Sequence, residues 1–173
     1  MRFRILIPVI LLASFSFVSC KKNDALARNG SDGPSGSGAV VFNVDKTTML
    51  QLVNGARAKG CTCGTTVMPP VDALTWNDEL AAAAYEHSSD MNTNNYFSHT
   101  GLDGSDPGQR ITAAGYSWTS WGENIANGYT SEQAVMNAWL ASEGHCKNIM
   151  NAGFKEIGAG RSANYWTQDF GSR

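Results

Sequence analysis

Trp139-Leu140-Ala141-Ser142-Glu143-Gly144-His145-Cys146-Lys147-Asn148-Ile149-Met150 is the stretch from which the rest of the chain is read. Upstream of it, Thr130 and Gln133 have the spacing of a capping box, in which a hydroxyl and a side chain three residues later satisfy each other's backbone amides. They predict a helix that buries Ala134, Val135, Ala138 and Trp139 on one stripe. Ser142 to Cys146 then reads as the loop after that helix, with His145 on it. Downstream, residues 156–162 and 165–170 read as two strands joined by a tight turn at Ala163-Asn164. In them Ile157, Ala159, Trp166 and Phe170 alternate with smaller or polar neighbours.

Three more helices precede this region. Asp45 is placed to cap one that runs to about Lys59, with Met49, Leu52, Val53 and Ala56 along a stripe and Gly60 stopping it. A loop with Cys61, Cys63, Gly64 and Pro69-Pro70 follows. Asn77 caps the second helix, where Leu80, Ala84, His87 and Met91 share a face and Trp76 packs back as a hydrophobic staple. Asp106-Pro107 opens a short third helix that carries Ile111 and ends at Gly115. Tyr116, Trp118 and Trp121 lie in a long loop, read as packing onto a sheet, with a ligand platform as the alternative. Helices alternating with antiparallel strands in 173 residues make one α+β domain.

Composition limits the partners. Hydrophobic residues at 42% and charged residues at 16% exclude a largely disordered chain. A net charge of -2 supplies no basic field for nucleic acid. At the start, Arg2 and Arg4 precede an apolar run, Ile5 to Val18, of the length found in secretory signals and too short to span a bilayer. It ends at Ser19-Cys20, which resembles a bacterial lipobox. Residues 1–19 are therefore read as a lipoprotein signal peptide, Cys20 as the lipidated residue, 20–43 as a Gly/Ser-rich tether and 44–173 as the domain. Plain secretion with Cys20 as an ordinary thiol is the alternative. The lipid on Cys20 implies a membrane contact facing out of the cytoplasm in the bacterial cell envelope. A monomer is expected.

Of three histidines, His87 lies on a helix face and reads as a core residue that braces the segment bearing His99. His99 and His145 lie near element ends, as does Glu123 in Gly122-Glu123-Asn124-Ile125-Ala126. Phe97-Ser98-His99, this glutamate segment, the 139–150 stretch and Tyr165-Trp166-Thr167-Gln168-Asp169-Phe170-Gly171 occur in that order. With Leu52-Val53-Asn54 and Leu74-Thr75-Trp76-Asn77, they resemble bacterial members of the CAP superfamily, the SCP-domain proteins. The resemblance spans Asp45 to Gly171. It implies a three-layer α-β-α sandwich with a central, mainly antiparallel sheet. It also implies a cleft where His99 and His145 face Glu123, with a divalent metal, zinc favoured, in some members. Glu143 stands one residue away from the family's second cleft acid and is carried over as a candidate. The resemblance further implies a Cys63–Cys146 disulfide with Cys61 left over, and Cys61–Cys146 stays open as the other pairing.

Two neutral imidazoles and a carboxylate suit zinc with a position left for water. The bland reading is that the same three side chains hold the cleft's shape through hydrogen bonds alone. No Gly-x-Ser-x-Gly elbow and no His-Glu-x-x-His helix is present. The first expectation is thus a non-enzymatic binding module whose cleft holds an ion and a small, peptide or lipid ligand. A metal-assisted or serine-type hydrolase using Ser98 or Ser142, and a structural interaction domain with a vestigial cleft, are the alternatives.

Overall fold

The structure is a computed structural model and describes residues 41–173. The signal peptide, Cys20 and residues 20–40 of the tether lie outside the described residues. The elements run α1 (Lys46–Lys59), β1 (Cys61–Cys63), β2 (Thr66–Met68), β3 (Thr75–Trp76), α2 (Asp78–Asn94), α3 (Pro107–Ala113), β4 (Ser120–Asn127), α4 (Glu132–Ala141), α5 (Glu143–Ile149), β5 (Glu156–Ser162) and β6 (Tyr165–Ser172). β1 and β2 form a small hairpin sheet. The main sheet has the order β3-β5-β6-β4, antiparallel except for the two-residue parallel pairing of β3 with β5. This is the expected α+β sandwich, with α2 and α3 on one face and α1, α4 and α5 on the other.

Most helix ends obey their caps. The Asp45 carboxylate accepts the Thr48 amide, Asn77 accepts from Glu79 and Leu80, and Gly60 closes α1 at φ 72°, a value glycine tolerates without a Cβ clash. Asp106 and Gln109 form a reciprocal capping box at α3. The fourth helix differs from expectation. Its cap is Ser131, whose hydroxyl accepts the Ala134 amide, while Gln133 donates to Asn137 instead of reaching back. The buried face differs as well: Met136 joins Val135 and Trp139 inside, while Ala134 and Ala138 are only half-buried.

β5 and β6 are buried on both faces. The expected Ile157, Ala159, Trp166 and Phe170 face the larger core with Met49, Val53, Trp139 and Ile149. The opposite face carries Gly158 and Gly160 against α2. A Cβ on Gly158 would run into the Leu80 and Ala81 backbone, and one on Gly160 into Tyr85. The two glycines therefore set how near α2 lies to the sheet. Ser88 locks that contact by donating to the Gly160 carbonyl at 3.1 Å.

Three regions read as loops are ordered elements. The 61–70 segment contains the β1–β2 hairpin, the 116–127 segment contains β4, and the segment after α4 is the short helix α5. Trp121 packs beside the smaller core, and Trp118 stands edge-on to it with its indole N–H donating to Gly108 and Thr112; Trp118 is itself exposed, and the pair lines a surface hollow beside α3. Cys63 and Cys146 form a disulfide, and Cys61 is the free cysteine among the described residues. Arg57, fully buried on α1, donates to the carbonyls of Ile149 and Asn151 at the end of α5 and to Asp72. The bridge and this guanidinium thus fix α5 at its middle and its C-terminus. At the other end of the domain, Phe42 accepts the Arg161 amide and lies 6.5 Å from the Tyr85 ring.

Candidate functional site

The cleft lies over the free edge of β4. Ile125, Ala126 and Asn127 supply its floor, Phe97, Ser98 and His99 one wall, and Ala138, Trp139, Ser142 and His145 the other, around a volume of about 600 Å³. Sequence reasoning paired His99 with His145 across a shared hollow, and the structure brings them together there.

Glu123 holds the first histidine. Its side chain is only 1% exposed, and its Oε1 lies 2.6 Å from His99 Nδ1. The other oxygen accepts Arg110 Nη2 at 2.7 Å. With Nδ1 engaged, Nε2 is the free nitrogen of His99. Both carboxylate oxygens are taken, so Glu123 orients a ring rather than offering an open ligand position. Arg110 also donates to the His99 carbonyl and to Ser105, tying the 99–105 segment to α3. His87 acts on the same wall from below: its Nε2 donates to the Ser98 carbonyl at 2.9 Å. Burial, ahead of the nearby charges, depresses the His87 pKa. It is the brace expected of it.

His145 is carried by α5. Its pKa is depressed first by burial and then by His99, so the neutral ring, the form that binds metal, persists below the usual imidazole range. Asn124 on β4 donates to the His145 carbonyl at 3.2 Å, and Asn148 on α5 donates back to Asn124 and to the Glu123 carbonyl. This amide ladder stitches α5 to the strand that carries Glu123. Both asparagines sit inside the quoted motifs without a role drawn from them; a polar residue in the middle of a buried stretch is the signal that marks such a pair.

Glu143 faces elsewhere. It pairs with Lys147 at 2.5 Å one turn along α5 and packs over Gly64 of the hairpin. The residue opposite Glu123 on β6 is Asp169, fully buried, with one oxygen lacking a partner. Burial first, and the Glu123 charge second, hold its carboxyl well above the usual range, which favours the protonated form. Sequence alone gave no sign of Asp169 or of Arg110, because each acts only through a partner far away in the chain.

Two imidazoles and an orienting carboxylate are donors of the kind zinc takes, but His99, Glu123 and His145 do not bring three donor atoms within 4.8 Å of one another. Among the described residues, the one group of three ligand-type side chains with donor atoms within 4.8 Å of each other is Cys61, Cys63 and Cys146. Two of these are joined in the disulfide. No helix of the described residues is long and apolar enough to cross a membrane.

An α-β-α sandwich with a paired-histidine cleft at a sheet edge defines the class of fold. The family model for the cysteine-rich secretory protein family, CAP, matches residues 50–170, and the chain belongs to this family. It is 40% identical over 99 residues to the Bacillus subtilis protein YkwD, a match covering 56% of this chain and 38% of that one. The chain spans about a third of the length of the curated relatives it matches. Among solved structures, an extracellular SCP-domain protein from Bacillus anthracis aligns with a TM-score of 0.66 at 31% identity, covering 73% of this chain and 40% of that one. The structure of NaASP2 with Zn2+ aligns with a TM-score of 0.51 at 16% identity, covering 72% and 77%, a likeness of fold.

Proposed function

We propose that this domain is an extracytoplasmic binding module whose His99/His145 cleft holds a divalent metal, zinc favoured, together with a small, peptide or lipid ligand. The observation that carries the reading is the placement of both rings on one cleft with Glu123 holding His99 Nδ1. His99 and His145 are the ligands; Glu123 fixes the first ring and Arg110 fixes Glu123. An ion held by two protein nitrogens keeps positions open for water or a ligand oxygen and polarises it. The apolar lining of Phe97, Ile125 and Trp139 suits a ligand with an apolar part beside a polar head. The Arg-led leader and the extracellular relative support export, and Ser19-Cys20 supports a lipid tether.

Neither ring hydrogen-bonds a serine hydroxyl among the described residues. Ser98 instead accepts the Thr100 amide. No serine–histidine nucleophile–base pair is assembled among the described residues, so the binding reading stands ahead of serine-type hydrolysis.

The test is calorimetric zinc titration of the full chain. The parent takes up zinc; His99→Ala combined with His145→Ala abolishes it, and Glu123→Gln weakens it about 10–100-fold. Uptake by the double variant equal to the parent's overturns the assignment.

A further inference from the structure

The cysteine cluster under α5 lies outside this cleft and has a chemistry of its own. Strand geometry puts Cys61 and Cys63, two residues apart on β1, on the same side, facing Cys146 of α5. The Cys61 thiol lies 3.3 Å from the Cys146 sulfur and 3.7 Å from the Cys63 sulfur. Three sulfurs are thus in mutual reach, while one bridge uses only two. Cys61 is half-buried; Cys63 and Cys146 are completely buried. We infer that Cys61, Cys63 and Cys146 form a thiol–disulfide exchange site in which Cys146 bonds alternately to Cys63 and to Cys61.

The step is balanced within the chain. The Cys61 thiol loses its proton to solvent, and the thiolate attacks the Cys146 sulfur. An S–S bond forms between Cys61 and Cys146 as the Cys63–Cys146 bond breaks, and Cys63 leaves as a thiolate that takes up a proton. No oxidant or reductant is consumed. Cys61 sits beside the existing bond, so attack requires its side chain to swing onto the bond's axis at the Cys146 end. Burial raises the thiol's pKa, which keeps the thiolate scarce at neutral pH and makes exchange slow. Either bridge ties the hairpin to α5, so His145 keeps its anchor in both states. What changes is the thiol left over: half-exposed Cys61 in one state, sealed Cys63 in the other. The second state withdraws the reactive thiol from external oxidants and thiols.

Peptide mapping tests this on the full oxidised chain. The protein is held for a day at pH 8, quenched in acid, labelled with a maleimide in denaturant at pH 6, digested without reduction and fragmented to locate the label. The expected result is two populations: label on Cys61 with a Cys63–Cys146 bridge, and label on Cys63 with a Cys61–Cys146 bridge, the second amounting to at least a tenth of the first. A Cys63→Ser chain is expected to form Cys61–Cys146 and to leave neither residue labelled. Cys20, present in the full chain, is scored separately; among the other three cysteines, label on Cys61 alone in the parent, with no trace on Cys63 after the incubation, overturns the inference whatever the variant does.

Discussion

Replacing Arg110 with alanine probes the charge balance beneath the cleft. Glu123 is a carboxylate with 1% side-chain exposure, and Arg110 reaches it at 2.7 Å while itself only 13% exposed. At an effective dielectric near 20, two unit charges at that distance attract by about 6 kcal/mol. Desolvation of both groups offsets much of that gain. Removing Arg110 leaves the buried Glu123 charge with the His99 ring on one oxygen and nothing on the other, a cost in the range of about 3–5 kcal/mol for a broken buried pair. The variant also loses the hydrogen bonds to Ser105 and to the His99 carbonyl. Urea unfolding at pH 7 should therefore show a loss of about 3–5 kcal/mol, or a melting point lower by about 10–15 °C. The second arm adds Glu123→Gln. That change removes the stranded charge and should recover at least about 2 kcal/mol relative to Arg110→Ala alone. A single variant within about 1 kcal/mol of the parent, or a double variant no more stable than the single, refutes this account of the network.

Asp169→Asn should stabilise the domain, because the folded carboxyl keeps a proton that the unfolded one releases above about pH 4; the gain grows with pH, and parallel urea midpoints for parent and variant between pH 5 and 8 would exclude it. His87 and His145 have depressed folded pKa values, so the unfolded chain protonates first as pH falls. Their share of stability is complete above about pH 6.5 and drains away below it, by up to about 1.4 kcal/mol per pH unit for each ring, and His87→Gln should shed one ring's part of that slope in acid titrations followed by circular dichroism. Gly158→Ala should cost at least about 2 kcal/mol in thermal melts, since the methyl meets the α2 backbone, and an unchanged melting point would contradict the close approach.

The parts of the fold legible in the sequence are those whose signals are local. Asp45, Asn77 and Asp106-Pro107 cap helices with their own side chains, and Gly60 ends one, so each boundary is written within a few residues. β5 and β6 show through large residues on one face, although the other face, glycines and polar groups under α2, gives no alternation against water. β4 is hidden for a related reason. Glu123 and Asn124 are polar, yet both are buried, because Arg110, His99 and Asn148 satisfy them from distant parts of the chain. A polar segment without partners in view reads as a loop. α5 lacks a start signal altogether: Ser142 makes no side-chain cap hydrogen bond and Gly144 follows in the first turn. The cap of α4 falls one residue later than the Thr130–Gln133 spacing predicts, because the neighbouring Ser131 hydroxyl is the one the folded backbone presents to the Ala134 amide. The two histidines were visible through their motifs. What holds them, Arg110 and the Asn124–Asn148 ladder, is a property of the assembled sheet edge.

The Cys63–Cys146 bond closes a ring across 83 positions. His99, Arg110, Glu123 and His145 all fall inside that ring in sequence. A protease that clips the exposed backbone near Leu102 therefore releases no fragment: the two pieces stay one covalent molecule, cut but not parted, and separate on a gel only after a reductant is added. The bond thus keeps the two sides of the paired-histidine hollow on one covalent molecule after a single cut between them.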